Sequence, residues 1–394
     1  MAEPAPREPR RLPRTVLILG AVSLLNDAAS EMVTPLLPIF LTATLGVGPA
    51  IIGLIEGLAE TTAAFLKLQA GRLVDRGCRH RPLVISGYGL SNAARPLLAF
   101  AASWIWVLIL RFLDRVGKGL RTSPRDALIA DAVDTTQRGR AFGFHRSMDH
   151  AGAAVGPLVA AALLALGLGI RDVFLISVIP GMLLMGLLWR GVPQRAPVQH
   201  PPAPIRLGEA WRTLDARVRG LVLAAGMLAF ATVPDALLIL WVFDAGIALI
   251  WIPLIWAAAN AIRSLTALAG GHLSDRHGRL PVVLLGWTVR VGALVVIALV
   301  DAETWLLWTL FLSYAAATAF TEGPERALIG DAVPTAQHGT AYGLYHLLVG
   351  LFALPGALLI GVLWQTLGRP FAFMVAATLT AIAAAGLLMA RRHR

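Results

Sequence analysis

The sequence is short of charge and nearly empty of cysteine. Only 14% of its 394 residues are Asp, Glu, Lys or Arg, against roughly 25% in an ordinary soluble domain, and that scarcity excludes the soluble class. The one cysteine, Cys78, excludes an internal disulfide. No HExxH, CxxC or P-loop pattern occurs, so neither a metalloenzyme nor an ATP-driven pump finds support in this chain. Met, Cys and His gather in no deep apolar segment, which argues against a metal pathway. A cleavable signal peptide is not expected either. "MAEPAPREPRRLPR" is a Pro/Arg-rich tail running into an apolar stretch too long for an h-region.

What abounds is apolar. The chain is 57% hydrophobic with a mean hydropathy of +0.70. Windows such as Thr15–Thr42, Leu83–Ala102, Ala151–Gly169, Leu221–Val242 and Val282–Val300 recur along it. Each is about 20 residues or longer, which at ~1.5 Å per residue spans a ~30 Å hydrocarbon layer as a helix. Reading them in turn predicts an all-α integral membrane protein with spans at 15–42, 49–73, 82–102, 104–130, 139–166, 171–190, 218–243, 248–272, 281–300, 304–330, 338–366 and 370–390.

The net charge of +11 raises the question of nucleic acid, and the placement of the charges answers it. Arg7, Arg10, Arg11 and Arg14 precede the first span; Arg72, Arg76, Arg79 and Arg81 end or follow the second. Further arginines fill 190–219, and Arg391, Arg392 and Arg394 end the chain. The alternate connections, such as "TLGVGPA", "AASW" and "FDAG", are nearly free of Lys and Arg. Positive residues mark the cytoplasmic side, so both termini are expected there. The charge is a topology signal, and no nucleic-acid partner is expected.

The chain repeats itself. "GRLVDR" at Gly71–Arg76 returns as "GHLSDR" at Gly271–Arg276, and "PRDALIADAVDTTQRGRAFG" at 124–143 returns as "PERALIGDAVPTAQHGTAYG" at 324–343, both displaced by 200. Between the copies lies a Pro/Arg-rich stretch, "VPQRAPVQHPPAP". The division that follows is a tail at 1–14, a six-helix bundle at 15–190, a cytoplasmic linker at 191–217, a second bundle at 218–390 and a basic tail at 391–394. Two such repeats with a site between them at the membrane midplane are a secondary-transporter design.

These motifs resemble the major facilitator superfamily over essentially the whole chain. "GRLVDRGCRHRP" is similar to its loop between spans two and three, with Cys78 at a position usually held by Gly, and "GHLSDRHGR" is the second copy. "RFLDRVGKG" resembles the fourth-span pattern, with Asp114 and Arg115 replacing the usual Gln and Gly. Gly143, Gly152, Gly156 and Pro157 match the fifth-span glycine pattern, and "PLLP" at Pro35–Pro38 resembles the first span of twelve-span drug/proton antiporters. The resemblance implies two parallel six-helix repeats, no enzymatic activity, no cofactor beyond a proton gradient, and export as the leading direction. It also implies that Asp75 latches the halves on the cytoplasmic side, with Gly71 and Arg76 in the same motif and Gly271, Asp275 and Arg276 as their counterparts; Asp131, in the second repeated stretch, is a further gate candidate. Physically, Gly143, Gly152 and Gly156 permit close helix approach and Pro157 permits a bend; simple tight packing would account for each glycine equally well.

Charged side chains inside spans face the bundle interior or a wet cavity because lipid exposure costs a few kcal/mol each. At ~100° per residue, Ser23, Asp27, Ser30, Glu31 and Thr34 share one face of span one. Glu56, Glu60, Ala63 and Lys67 share one face of span two. Arg111, Asp114, Arg115, Lys118, Arg121 and Arg125 occupy roughly a third of span four, with Phe112, Leu113, Val116 and Leu120 behind. The helical rise puts Asp27, Glu31, Glu56, Arg111 and Arg115 at similar heights.

Two readings of these charges stay open. In one they form a salt-bridge lattice that never meets substrate. In the other Asp27, Glu31, Glu56 or Glu60 exchanges protons, while Arg111, Asp114, Arg115 and Lys118 pair with them or hold an anionic group. Arg95 has a weaker case, and His145, Arg146, Asp149 and His150 read as a gate at the start of span five. In the second half Asp235, Asn260, Arg263 and Tyr314 are candidates, while Trp241, Trp256 and Trp287 read as interface anchors. The expectation is a monomeric proton-coupled exporter of a small organic solute in a bacterial-type inner membrane. The alternatives are a proton-linked importer of an anionic metabolite and, less favoured, a lipid flippase, a metal-ion exporter or a non-transporting receptor.

Overall fold

The computed structural model describes residues 12–75, 78–134, 137–191, 211–212, 214, 216–300, 304–332 and 338–392. Every regular element among them is helical. The first half comprises α1 (Arg14–Val33, resuming at Leu37–Ile39 and Phe40–Thr44), α2 (Pro49–Asp75), α3 (His80–Leu97), α4 (Trp104–Asp131), α5 (Arg138–Ala165) and α6 (Ile170–Ile176, resuming at Val178–Gly191). The second comprises α7 (Ala216–Ala231, resuming at Asp235–Asp244), α8 (Trp251–His277), α9 (Arg279–Leu299), α10 (Thr304–Gly330), α11 (His338–Leu367) and α12 (Arg369–Arg392). Among the described residues nine helices are long and apolar enough to cross a membrane. The twelve predicted ranges coincide with α1–α12 to within a few residues, though α3, α4 and α10 are not among those nine, and the departures have local causes.

Proline accounts for the break in α1. Pro35 and Pro38 bring no backbone donor, and the helix opens at 34–36, where the Thr34 hydroxyl donates to the Ser30 carbonyl at 2.9 Å. The break in α7 falls at Thr232–Pro234, and Thr232 Oγ1 likewise turns back onto Leu228 O at 2.7 Å. Pro124 and Pro324, one repeat apart, instead sit inside α4 and α10 without ending them. The repeat extends to the turns: Gly46 and Gly246 both hold φ near the left-handed region, +67° and +89°, a conformation that glycine adopts at no steric cost.

The core shows how the halves meet. One apolar cluster draws on both, joining Leu36, Phe40, Ile52 and Val107 to Trp241, Ile255, Phe311 and Phe373. It lies toward the end that carries the turns at 45–48, 101–103 and 166–169. The two other clusters each stay within one half: Val16, Tyr88, Ile129 and Leu188 in the first, Val222, Trp287, Tyr345 and Leu387 in the second. The halves are therefore fused at the turn end and separately packed at the end that bears the linker.

Glycine makes the fusion possible. A Cβ on Gly53 would overlap the Ala357 carbonyl oxygen, and one on Gly361 would lie 2.5 Å from Pro49 O, so α2 and α11 touch backbone to backbone. Thr61 Oγ1 donates to Gly350 O at 2.5 Å farther along the same seam.

Candidate functional site

The charges of span four are mostly spent on partners within the first half. Arg111 grips Glu56 of α2 bidentately, Nε to Oε1 and Nη2 to Oε2 both at 3.1 Å. Asp114 takes Arg95 Nη2 of α3 at 3.0 Å and has Arg111 and Arg115 nitrogens at 3.8 and 3.9 Å. Arg95 also donates to the Asn26 carbonyl and side-chain oxygens at 3.2 and 3.1 Å, and to Asn92 Oδ1 at 3.1 Å. Arg121 lies over the Tyr88 ring at 4.5 Å and donates to Ser91 Oγ at 2.6 Å. A small recess lined by Ser30, Arg95, Arg111 and Asp114 lies beside this lattice.

The shared heights predicted for Glu56 and Arg111 are thus seen as a direct pair. Asp27 and Glu31 behave differently. Neither has a cation within 4 Å among the described residues. Asp27 accepts from Asn26 Nδ2 at 2.8 Å. Glu31 accepts from the indole of Trp256 on α8 at 2.6 Å, a bond that crosses from one half to the other. Behind both, α5 comes so close that a Cβ on Gly152 or Gly156 would overlap the Leu24 or Ala28 carbonyl oxygen. For these two glycines the structure gives tight packing against the acid-bearing helix. At Gly143 nothing lies near, so the same account does not extend to it.

The remaining candidates sort by position. Glu60 is more than half exposed and lies 3.7 Å from Arg115 Nη1. Arg263 donates to Asp235 Oδ1 at 2.6 Å and covers the Trp256 ring at 4.8 Å. Asn260 Nδ2 reaches Ala153 O of α5 at 3.4 Å, a further polar link between halves. Asp149 accepts from Ser23 and has His145 Nδ1 at 3.6 Å and Arg146 Nη1 at 3.8 Å. His150 is exposed on α5. In the second loop motif Asp275 pairs with Arg279, which also reaches Asp331 at 3.2 Å. That pairing stays within one half. Gly271 has open space around it and Arg276 is exposed. Gly71 approaches Ser123, and Asp131 is exposed at the end of α4. Arg76 and the side chain of Asp75 lie outside the described residues, as do most of the first tail and of the linker and residues 393–394.

The tryptophans correct one expectation. Trp241, Trp256 and Trp287 are buried rather than set at an interface. Trp256 serves Glu31, and Trp287 donates to Glu325 at 2.7 Å, so in both cases an indole N–H satisfies a carboxylate inside the helix bundle. Sequence reasoning missed Glu325 and Arg290, the latter donating to Thr232 Oγ1 at 2.7 Å and lying over Tyr314 at 5.3 Å. A lone arginine in "LLGWTVRVGALVV" was the available signal.

Two helix repeats fused at one end, with ionisable groups lining the seam between them, are the architecture of a secondary transporter. The family model of the Major Facilitator Superfamily matches residues 19–345 and 261–394, and the chain belongs to that family. An MFS-type transporter of Methanocaldococcus jannaschii, described as uncharacterised, is 30% identical over 368 residues, 90% of each chain. The multidrug resistance protein MdtH of Aeromonas hydrophila is 32% identical over 155 residues, 39% of this chain and 38% of that one. Among solved structures, the nucleoside transporter NupG superposes with a TM-score of 0.79 at 14% identity, covering 96% and 100% of the two chains. A bacterial homologue of the human lysosomal transporter Spinster gives 0.76 at 19% identity, covering 96% of each. The protein is a membrane transporter of the major facilitator fold and not an enzyme.

Proposed function

We propose that this transporter couples proton movement to export of a small organic solute by alternating access. It works as a monomer of twelve spans in a bacterial-type inner membrane, with both termini cytoplasmic and the proton gradient as its only energy source. The observation that carries the reading is the bond between Glu31 and Trp256. A carboxylate on one repeat, with no cation within 4 Å among the described residues, is held by a neutral donor on the other. Rocking the repeats apart at the turn end must break that bond and change the acid's surroundings. A carboxylate's proton affinity rises in a dry site and falls in water or beside a cation, so the same motion that exposes the solute site loads or releases a proton. Asp27, one turn away on α1, shares that environment.

Export as the direction is supported by the fifth-span glycines packed on α1 and by the partial similarity to MdtH. A second reading, proton-linked import of an anionic metabolite, is favoured by Lys67 of α2 and Lys118 of α4, which have no carboxylate oxygen within 4 Å among the described residues. The test uses membrane vesicles of both orientations carrying an imposed pH gradient, with a pH-sensitive dye as reporter. An exporter dissipates the gradient on solute addition in inside-out vesicles, an importer in right-side-out ones. Glu31→Gln and Asp27→Asn are expected to abolish the response. If both variants respond as wild type does, the coupling assignment falls.

A further inference from the structure

The charge pairing of α2 and α4 leaves a remainder. Arg111 is held by Glu56, Arg95 by Asp114, Arg115 lies between Glu60 and Asp114, and Arg125 is held by Asp126 at 2.8 Å. In the second half Arg263 has Asp235 and Arg326 has Glu322. Arg121 has no carboxylate oxygen within 4 Å but is engaged by the Tyr88 ring and Ser91 Oγ. Lys67 and Lys118 have no carboxylate oxygen within 4 Å among the described residues and no such ring or hydroxyl partner. Both are half-buried.

Their placement is shared. Gly119, next to Lys118, lies so close to Leu66, next to Lys67, that a Cβ would overlap the leucine side chain. Ser123 Oγ donates to the Lys67 carbonyl at 3.0 Å farther along. The two lysines therefore rise from one tight seam between α2 and α4. Lys67 is within electrostatic range of Arg326 and His346 of the other half, and Lys118 within range of Asp27, Glu31 and Glu60. Around Lys118, Glu60 favours the ammonium while the neighbouring Arg115, Lys67 and Arg121 act against it, and among the described residues no group accepts a hydrogen bond from its three donors. Two like charges on one seam, in a span where a lone cation costs a few kcal/mol, call for an anion.

We infer that Lys118, assisted by Lys67, is the anchor for an oxyanion on the transported solute, a carboxylate or phosphate monoester. Of the guanidinium groups expected to play that part, Arg111 is occupied by Glu56, whereas Arg115 lies 3.7 Å from Glu60 and 3.9 Å from Asp114 with no hydrogen bond from its Nε among the described residues. The inference deepens the transport reading above and rests on it only for the solute's being carried; the binding site stands without assuming a direction.

A matched naphthalene series tests it on the purified full chain: 1-naphthoate, 1-naphthyl phosphate, 1-naphthylmethylamine and 1-naphthalenemethanol, with dissociation constants taken from thermal shift. At least one of the two anions is expected to bind tenfold or more tighter than the amine and the alcohol, and the order of the two anions identifies the head group. Lys118→Gln is expected to erase that preference, and Lys118→Arg to keep it. Lys67→Gln is expected to reduce it, which keeps the inference testable where Lys118→Gln fails to fold. Equal or tighter binding of the amine or alcohol, no binding of any of the four, or an undiminished preference in a folded Lys118→Gln overturns the site. The vesicle assay separates the two claims. Anion binding without proton-linked flux leaves the site standing and removes the coupling, whereas proton-linked flux of the amine does the reverse.

Discussion

The indole N–H of Trp256 donates to Glu31 Oε2 at 2.6 Å, and these two residues, 225 apart in sequence, tie the repeats together between the fused end and the linker end. Replacing the indole by a ring without a donor tests what the tie does. A hydrogen bond to a charged group is worth about 1.5–3 kcal/mol, so Trp256→Phe is expected to slow proton-driven flux by roughly tenfold or more, each 1.4 kcal/mol being a factor of ten. Arg263 keeps its stacking surface in this variant, so the apparent Tm is expected to fall by only a few degrees. Unchanged flux in folded Trp256→Phe would remove the bond from the cycle.

Arg111 and Glu56 form a largely buried bidentate pair, with two parallel N–H···O contacts at 3.1 Å. Removing one partner of such a pair strands the other, at about 3–5 kcal/mol. Arg111→Met and Glu56→Met are each expected to lower the Tm in detergent sharply. The double variant is expected to recover much of the loss, because an apolar pair strands nothing. If the losses simply add, the two residues do not act as a unit.

The glycine motif gives a prediction with an internal control. At Gly156 a Cβ would overlap the Ala28 carbonyl, forcing α5 off the helix that carries Asp27 and Glu31. Overpacking costs typically ~1–3 kcal/mol, so Gly156→Val is expected to lower both stability and flux. Gly143 belongs to the same motif but has nothing within 4 Å. Gly143→Ala is expected to leave Tm and flux unchanged, as a packing role confined to Gly152 and Gly156 requires. Equal damage from the two substitutions would give the motif some function other than close approach.

Much of this was legible because single helices obey one period. Apolar length predicted the spans, the ~100° turn per residue gathered Arg111, Asp114, Arg115 and Lys118 on one face, and the 200-residue offset gave the repeat. What periodicity does not carry is pairing between helices. The sequence left Asp27, Glu31, Glu56 and Glu60 alike as partners for Arg111 and Arg115; Glu56 and Glu60 lie beside them because α2, not α1, packs along α4. Arg95 looked incidental, yet it is buried against Asp114 and Asn26. The tie from Glu31 to Trp256 depends on how two repeats meet, which no window within either repeat records. The breaks at Pro35–Pro38 and Thr232–Pro234 are both marked by prolines, though only the first belongs to a motif with a recognisable pattern.

The single cysteine offers a test of orientation in the unmodified protein. Cys78 is exposed and follows α2 at the linker end, the end where the two halves pack separately. The topology proposed above, from the arginine distribution, has that end in the cytoplasm. A membrane-impermeant maleimide is therefore expected to label inside-out vesicles and to leave intact cells unlabelled, with Cys78→Ser as the blank. Because the chain has no second thiol, any label reports this one position. Labelling of intact cells would invert the topology, move the separately packed end to the outside, and turn the export reading into its opposite.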